Sequence, residues 1–137
     1  MDVPQLNLMP IITLHQPWAQ WVMLGWKPIE TRTHGRFKCL EGKRIGIHAG
    51  LKWDSDWIKK ACEFLTAQQI VETNRFERIG GAVICKALVK QAYWLDGQHS
   101  PYALIDCGDT RRFGLILDDI QRIEPIPAKG KQGIWYA

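Results

Sequence analysis

The 137-residue chain lacks any uninterrupted apolar run approaching the roughly 18 residues that a membrane-spanning helix needs, which excludes a helical span. No basic segment precedes an apolar stretch at the N-terminus, which reads Met1-Asp2-Val3-Pro4-Gln5, so a secretory leader is not expected. Cysteine is sparse. Cys39, Cys62, Cys85 and Cys107 stand singly with more than twenty residues between neighbours, which fits neither a paired-cysteine metal knuckle nor a dense disulfide frame. Three of the four sit among apolar neighbours and are expected as buried, reduced thiols, implying a cytoplasmic chain with no metal and no cofactor. Internal repeats and low-complexity runs are also missing.

Tryptophan, by contrast, is abundant: seven of the aromatic residues are Trp. Indole is costly to expose, so most of the seven must build a core, and any left at the surface are candidates for ring stacking. With 46% hydrophobic and 23% charged residues, a chain of this length makes one compact domain that buries roughly two-thirds of its unfolded surface without staples.

Eighteen basic residues against fourteen acidic ones give a net charge of +4, a mild lean that by itself names no partner. Its distribution says more. Between Lys27 and Lys52 seven bases face only Glu30 and Glu41, a local charge of +5, whereas residues 53–128 hold nine bases and eleven acids. The excess therefore belongs to one segment plus Lys129 and Lys131, enough for a positive face on a nearly neutral body.

Ile11-Ile12-Thr13-Leu14 reads as a buried strand. Pro17 suits a first helical position and Gly25 the residue past the last turn of a short helix carrying Trp18, Trp21, Val22 and Leu24. Lys27 to Thr33 favours a strand that Pro28 confines to an edge. Lys43 to Ala49 alternates as a strand, with Ile45 and Ile47 on one face. A helix capped by Asp54 or Ser55 should follow, repeating Trp57, Ile58, Ala61, Cys62 and Leu65. Ala82 to Lys90 is the strongest and most central strand, and Gln91 to Asp109 an irregular excursion. Phe113 to Leu117 and Ile134 to Tyr136 complete the strands, with Glu124 to Pro127 as a turn between them. The pattern predicts an α+β chain built on a small mixed β-barrel.

Three passages taken together carry a resemblance: Leu14-His15-Gln16-Pro17-Trp18-Ala19, Gly25-Trp26-Lys27-Pro28-Ile29-Glu30-Thr31-Arg32 and Gly46-Ile47-His48-Ala49. They resemble the ASCH domain, the activating-signal-cointegrator homology domain of the PUA-like superfamily, whose Gly-x-Lys-x-x-Glu-x-Arg signature is met at Gly25, Lys27, Glu30 and Arg32. The closing Lys129-Gly130-Lys131-Gln132-Gly133-Ile134-Trp135 is similar to the end of cointegrator-type members, so the likeness runs from about Thr13 to Trp135. It implies a PUA-like barrel of five or six strands flanked by two or three helices, with a cleft bordered by the signature. Residues 1–10 would form an N-terminal extension and 11–137 a single ASCH domain. The family includes nucleic-acid binders, a proposed ribonuclease and small amidohydrolases acting on N4-acylated cytidine, so the resemblance carries fold further than activity.

The candidate site residues are His15, Gln16, Trp18, Trp26, Lys27, Glu30, Arg32, Lys129 and Lys131. Arg32 presents a planar fork suited to phosphate or base edges, and Glu30, on the same face of a strand, can orient it or accept from a base amino group. Gln16 offers amide hydrogen bonds, Trp18 and Trp26 offer stacking faces, and His15 and His48 could exchange protons near neutral pH. The glycines around Lys129 and Lys131 let backbone approach a phosphate, without the Walker pattern of nucleotide-triphosphate sites. In a hydrolase, Lys27 with its pKa lowered by burial would act beside Glu30 as the catalytic pair. The amidohydrolases that this chain resembles carry a Thr nucleophile where Glu30 stands, and strand alternation turns Thr31 away. The expected activity is therefore binding of RNA, single-stranded DNA or a modified base, with no membrane partner. A hydrolase and a protein-interaction module presenting residues 91–109 are the rival readings.

Overall fold

The computed structural model describes residues 8–137. The N-terminal sequence used to judge a leader, and residues 1–7 of the expected extension, lie outside the described residues. From Leu8 onward the chain is already tied to the fold: the Leu8 N–H donates to the Ala137 carbonyl at 3.1 Å, and Pro10 opens the first strand.

In chain order the elements are β1 (Pro10–Gln16), α1 (Trp18–Met23), β2 (Ile29–Arg32), β3 (Arg44–Trp53), α2 (Trp57–Ala61), α3 (Ala67–Asn74), β4 (Ala82–Trp94), α4 (Ser100–Ala103), β5 (Phe113–Pro127) and β6 (Trp135–Tyr136). The strands form a six-stranded mixed sheet in the order β2-β5-β4-β3-β1-β6, in which only β1 and β3 run parallel. This is an α+β fold of barrel-like curl whose sheet stays open. The register slips at three places between β4 and β5, and each slip bends the pair. The bending turns edge strand β2 back toward β1, where the Arg32 Nη2 donates to the Thr13 carbonyl at 3.2 Å instead of a ladder closing the barrel.

Four local expectations change. Pro17 is the residue before α1, joined by a cis peptide to Gln16, and not its first helical position. The helix expected from Asp54 to Leu65 stops at Ala61, passes through a 3-10 turn over Cys62–Phe64, and is followed by the separate α3. Thr66 caps α3 reciprocally with Gln69, so a Thr-x-x-Gln box starts a new helix where apolar spacing alone runs on. Glu124 to Pro127 is no turn, because β5 continues through it paired with β4. β2 accompanies β5 only as far as Ile116, so beyond that β5 has a free edge on which Pro125 and Pro127 lose no ladder bond. Finally, only Cys85 and Cys107 are buried; Cys39 and Cys62 are exposed.

The main core lies on one face of the sheet, where α1 covers Ile12, Leu14, Ile45, Ile47, Ile84 and Leu115. A second, indole-rich cluster joins α1 to α2 and α3 around the fully buried Trp21. The Trp21 ring meets Trp18 and Trp57 edge to face at 4.9 and 5.7 Å, and its Nε1 donates to the Thr73 hydroxyl at 3.0 Å. That bond satisfies the one polar atom of a large buried ring. Together these contacts fix α1, and with it the corner at Gln16 and Trp18.

Candidate functional site: a small cavity opening on a basic groove

The signature residues converge. On β2, Glu30 and Arg32 share a face by strand alternation, and the Lys27 side chain reaches them from before Pro28. Lys27 is 1% exposed, and its ammonium donates to the carbonyls of Ile29 at 2.7 Å and Ala103, in α4, at 2.6 Å. A third contact runs to Glu30 Oε1 at 3.6 Å. Burial outweighs the attraction of Glu30 and holds the Lys27 pKa down at about 8. The two carbonyls and the Glu30 carboxylate offset part of the cost of burying this charge. Glu30 is sandwiched between cations, with Oε2 at 3.3 Å from the Arg32 Nη2. Arg32 lies over the Phe37 ring at 4.9 Å, and its Nε has no protein partner.

These groups line a cavity of about 230 Å³ together with Trp18, His15, Thr31, Asp54, Lys60 and Ile105. Trp18 is held as one wall: its Nε1 donates to Asp54 Oδ2 at 3.0 Å, and Lys60 Nζ reaches the same oxygen at 2.8 Å. Burial pushes the Asp54 carboxyl up, but the Lys60 and Trp18 hydrogen bonds outweigh it and leave it below its ordinary value. Lys27 Nζ lies 5.3 Å from the centre of the Trp18 ring.

Thr13, His15 and Arg32 also border a second, larger cavity of about 670 Å³. Arg32, Arg36, Lys52, Lys129 and Lys131 line it together with His15, His34 and His48, and no carboxylate does. Partial burial, Lys52 and Arg32 hold the His15 pKa below its ordinary value despite Asp54 and Glu30, so the ring is largely neutral at pH 7. Lys129 and Lys131 arrive on the β5–β6 connection, which His48 anchors. The His48 ring is 1% exposed, and its Nε2 meets the Ala128 carbonyl at 2.7 Å. Gly130 lies flat on that ring: a Cβ there would sit 2.7 Å from His48 Cε1 and 3.2 Å from Thr13 Oγ1. The same Thr13 hydroxyl accepts from Trp135 Nε1 at 3.1 Å. His48 thus positions the loop from beneath.

Seven of the nine expected site residues therefore border one of the two cavities. Gln16 and Trp26 do not. Gln16 is buried, its amide donating to the Ile79 carbonyl and its oxygen accepting from the Gln20 N–H, which secures the start of α1. Trp26 packs on Phe76 at 5.7 Å in the indole cluster, because the turn at Gly25, with φ of +79°, directs the next residue inward. Asp54, read from sequence only as a helix cap, and Lys60 are wall residues that sequence reasoning missed, since only the fold brings them beside Trp18. Trp53 and Trp94, unassigned from sequence, lie beneath the guanidinium groups of Arg78 and Arg111 at 4.3 and 4.1 Å.

The curled, open mixed sheet with a helix packed across it and a cleft between β1 and β2 gives this chain an ASCH-like fold. The solved structures it is similar to include the ASCH protein of Zymomonas mobilis, with a TM-score of 0.61 and 16% identity over 93% of this chain and 86% of that one. They also include a serine-to-alanine variant of that protein (TM-score 0.58, 17% identity, 98% and 91% coverage) and a tyrosine-to-phenylalanine variant (0.57, 16%, 93% and 88%). No protein-family model and no curated protein sequence matches the chain. Among the described residues, no helix is long and apolar enough to cross a membrane, and no group of three or more His, Cys, Asp or Glu side chains could hold a metal ion.

Proposed function

We propose that the protein binds single-stranded nucleic acid, with phosphates on the large basic groove and one base, standard or modified, in the small cavity. The observation that carries this reading is the groove itself: five fixed cations and no carboxylate line about 670 Å³ that adjoins, at Arg32, a recess walled by Trp18. Phosphates seek the first environment and an unstacked base the second. In the recess Glu30 and Asp54 supply acceptors for base amino groups, and Trp18 supplies a ring face. The ASCH likeness supports the reading, since nucleic-acid binders occur among the proteins this chain resembles.

The Lys27 geometry speaks against the hydrolase reading. Burial does hold its pKa down at about 8, in the range a lysine base needs, but its ammonium donates to the Ile29 and Ala103 carbonyls and lies 3.6 Å from Glu30 Oε1, contacts that Lys27 makes in full only as the protonated amine. It serves better as the support that fixes Glu30.

Fluorescence anisotropy with labelled single-stranded RNA and DNA across a salt series tests the binding. Single strands give a slope of log affinity on log salt of about −0.7 per neutralised phosphate, so four or five cations in contact predict about −3. Lys52→Ala, Lys129→Ala and Lys131→Ala should each flatten the slope by about 0.7. No binding at low salt, or a slope near zero, would refute the proposal.

A further inference from the structure

We infer that a bound strand occupies both cavities at once, so that the ligand is an oligonucleotide and not a free nucleotide: one base in the small cavity, its neighbouring phosphate at Arg32, and a further base over Leu51. This rests on the nucleic-acid reading above and goes beyond it by assigning the class of ligand and a contact residue outside the signature.

Three observations carry it. The cavities adjoin: Thr13, His15 and Arg32 line both. Their charge differs: in the small one the carboxylates of Glu30 and Asp54 are paired with Lys27, Arg32 and Lys60, whereas the large one is lined by cations with no carboxylate to neutralise them. Arg32 is the one fixed cation common to both, and its side chain is 24% exposed, so it stands where a chain must pass from base to phosphate.

The third observation is Leu51. It is 87% exposed on the lip of the basic groove beside Lys52, where core packing gives no reason for a large aliphatic side chain. Its backbone is braced. The Gly81 N–H donates to the Ala49 carbonyl at 2.7 Å, and a Cβ on Gly80 would come within 2.9 Å of the Gly50 carbonyl oxygen and 3.2 Å of Leu51 Cα. Glycine at that position lets the 80–81 turn press against the end of β3 and hold Leu51 outward. An apolar side chain on a braced strand end among cations offers a resting face to a base while its phosphates meet Lys52 and its neighbours.

The test measures affinities of the wild-type protein and of Leu51→Ala for adenosine monophosphate and for a dinucleotide and a hexanucleotide of adenylate, in the ribo or deoxyribo series that binds tighter. The expected result is a gain of more than about tenfold from mononucleotide to hexanucleotide. Leu51→Ala should weaken hexanucleotide binding by about threefold to tenfold, with the salt slope and the mononucleotide affinity unchanged. Because Leu51 is exposed, the variant keeps the fold, which a thermal melt confirms. Equal wild-type affinity for mononucleotide and hexanucleotide overturns the two-cavity ligand, as does hexanucleotide binding unaltered by Leu51→Ala. Failure of the wild type to bind any strand at low salt overturns the underlying nucleic-acid reading instead, and the inference with it.

Discussion

Replacing Lys27 with Met removes a buried charge whose cost can be followed by pH. The folded Lys27 titrates at about 8 against an ordinary 10.5, and at about 1.4 kcal/mol per pH unit the gap amounts to about 3 kcal/mol. Below pH 8 both folded and unfolded chains carry the proton, and the fold bears the whole desolvation cost. Between pH 8 and 10.5 the unfolded chain keeps a proton that the folded one has released, so stability from this group rises by about 1.4 kcal/mol per pH unit. Met removes the ramp. At pH 7 the relief of about 3 kcal/mol is offset by leaving the Ile29 and Ala103 carbonyls without a donor, at about 1–3 kcal/mol each, so the variant should fold with a stability between about 1 kcal/mol above and about 3 kcal/mol below wild type. Urea unfolding of both proteins from pH 7 to 10 measures the difference. Cys85, pushed up to about 12 by burial, acts with the opposite sign above the ordinary thiol pKa, but it is common to both proteins and cancels. A wild-type-minus-variant difference that stays flat across this range would refute a buried, charged Lys27.

Glu30→Gln leaves Lys27 and Arg32 facing each other without the carboxylate between them and should cost about 3 kcal/mol in a urea titration at pH 7, with Lys27→Met restoring part of the loss in the double variant. Trp21→Phe keeps most of the buried ring but removes the indole N–H bond to the Thr73 hydroxyl, which still donates to the Gln69 carbonyl, and a loss of about 1–2 kcal/mol in chemical unfolding is expected from the lost bond and the space left by the smaller ring. Gly130→Ala drives a methyl into the His48 ring and should lift the loop bearing Lys129 and Lys131, lowering strand affinity while the melting temperature falls by only a few degrees. Asp54→Ala frees the Trp18 indole and Lys60 together; base-dependent affinity should drop severalfold with the salt slope little changed, as anisotropy with abasic and intact strands would show.

Much of this protein is legible one residue at a time. Alternation at Ile45 and Ile47 places β3 in the core, Pro28 puts β2 at an edge, and the run from Ala82 marks the central strand, because each rests on local periodicity or a missing N–H. Lys27, Glu30 and Arg32 stand out through the resemblance to the ASCH signature, to which alternation adds only that Glu30 and Arg32 share a strand face. What stays hidden depends on partners far away in the chain. Pro125 and Pro127 read as a turn until β5 is seen to have a free edge there, and Gln16 reads as a ligand until Ile79 takes its amide.

The sequence by itself determined that a basic segment and an aromatic-rich corner exist, since charge and side-chain type are properties of the residues alone. Only the tertiary structure decided which of them meet. The curl of β4 and β5 brings β2 against β1, so Arg32 borders two cavities at once, and the anchoring of Gly130 on His48 brings Lys129 and Lys131 across to the same groove. Spacing along a chain sets which side chains share a strand face; the bending of paired strands sets which faces look at each other.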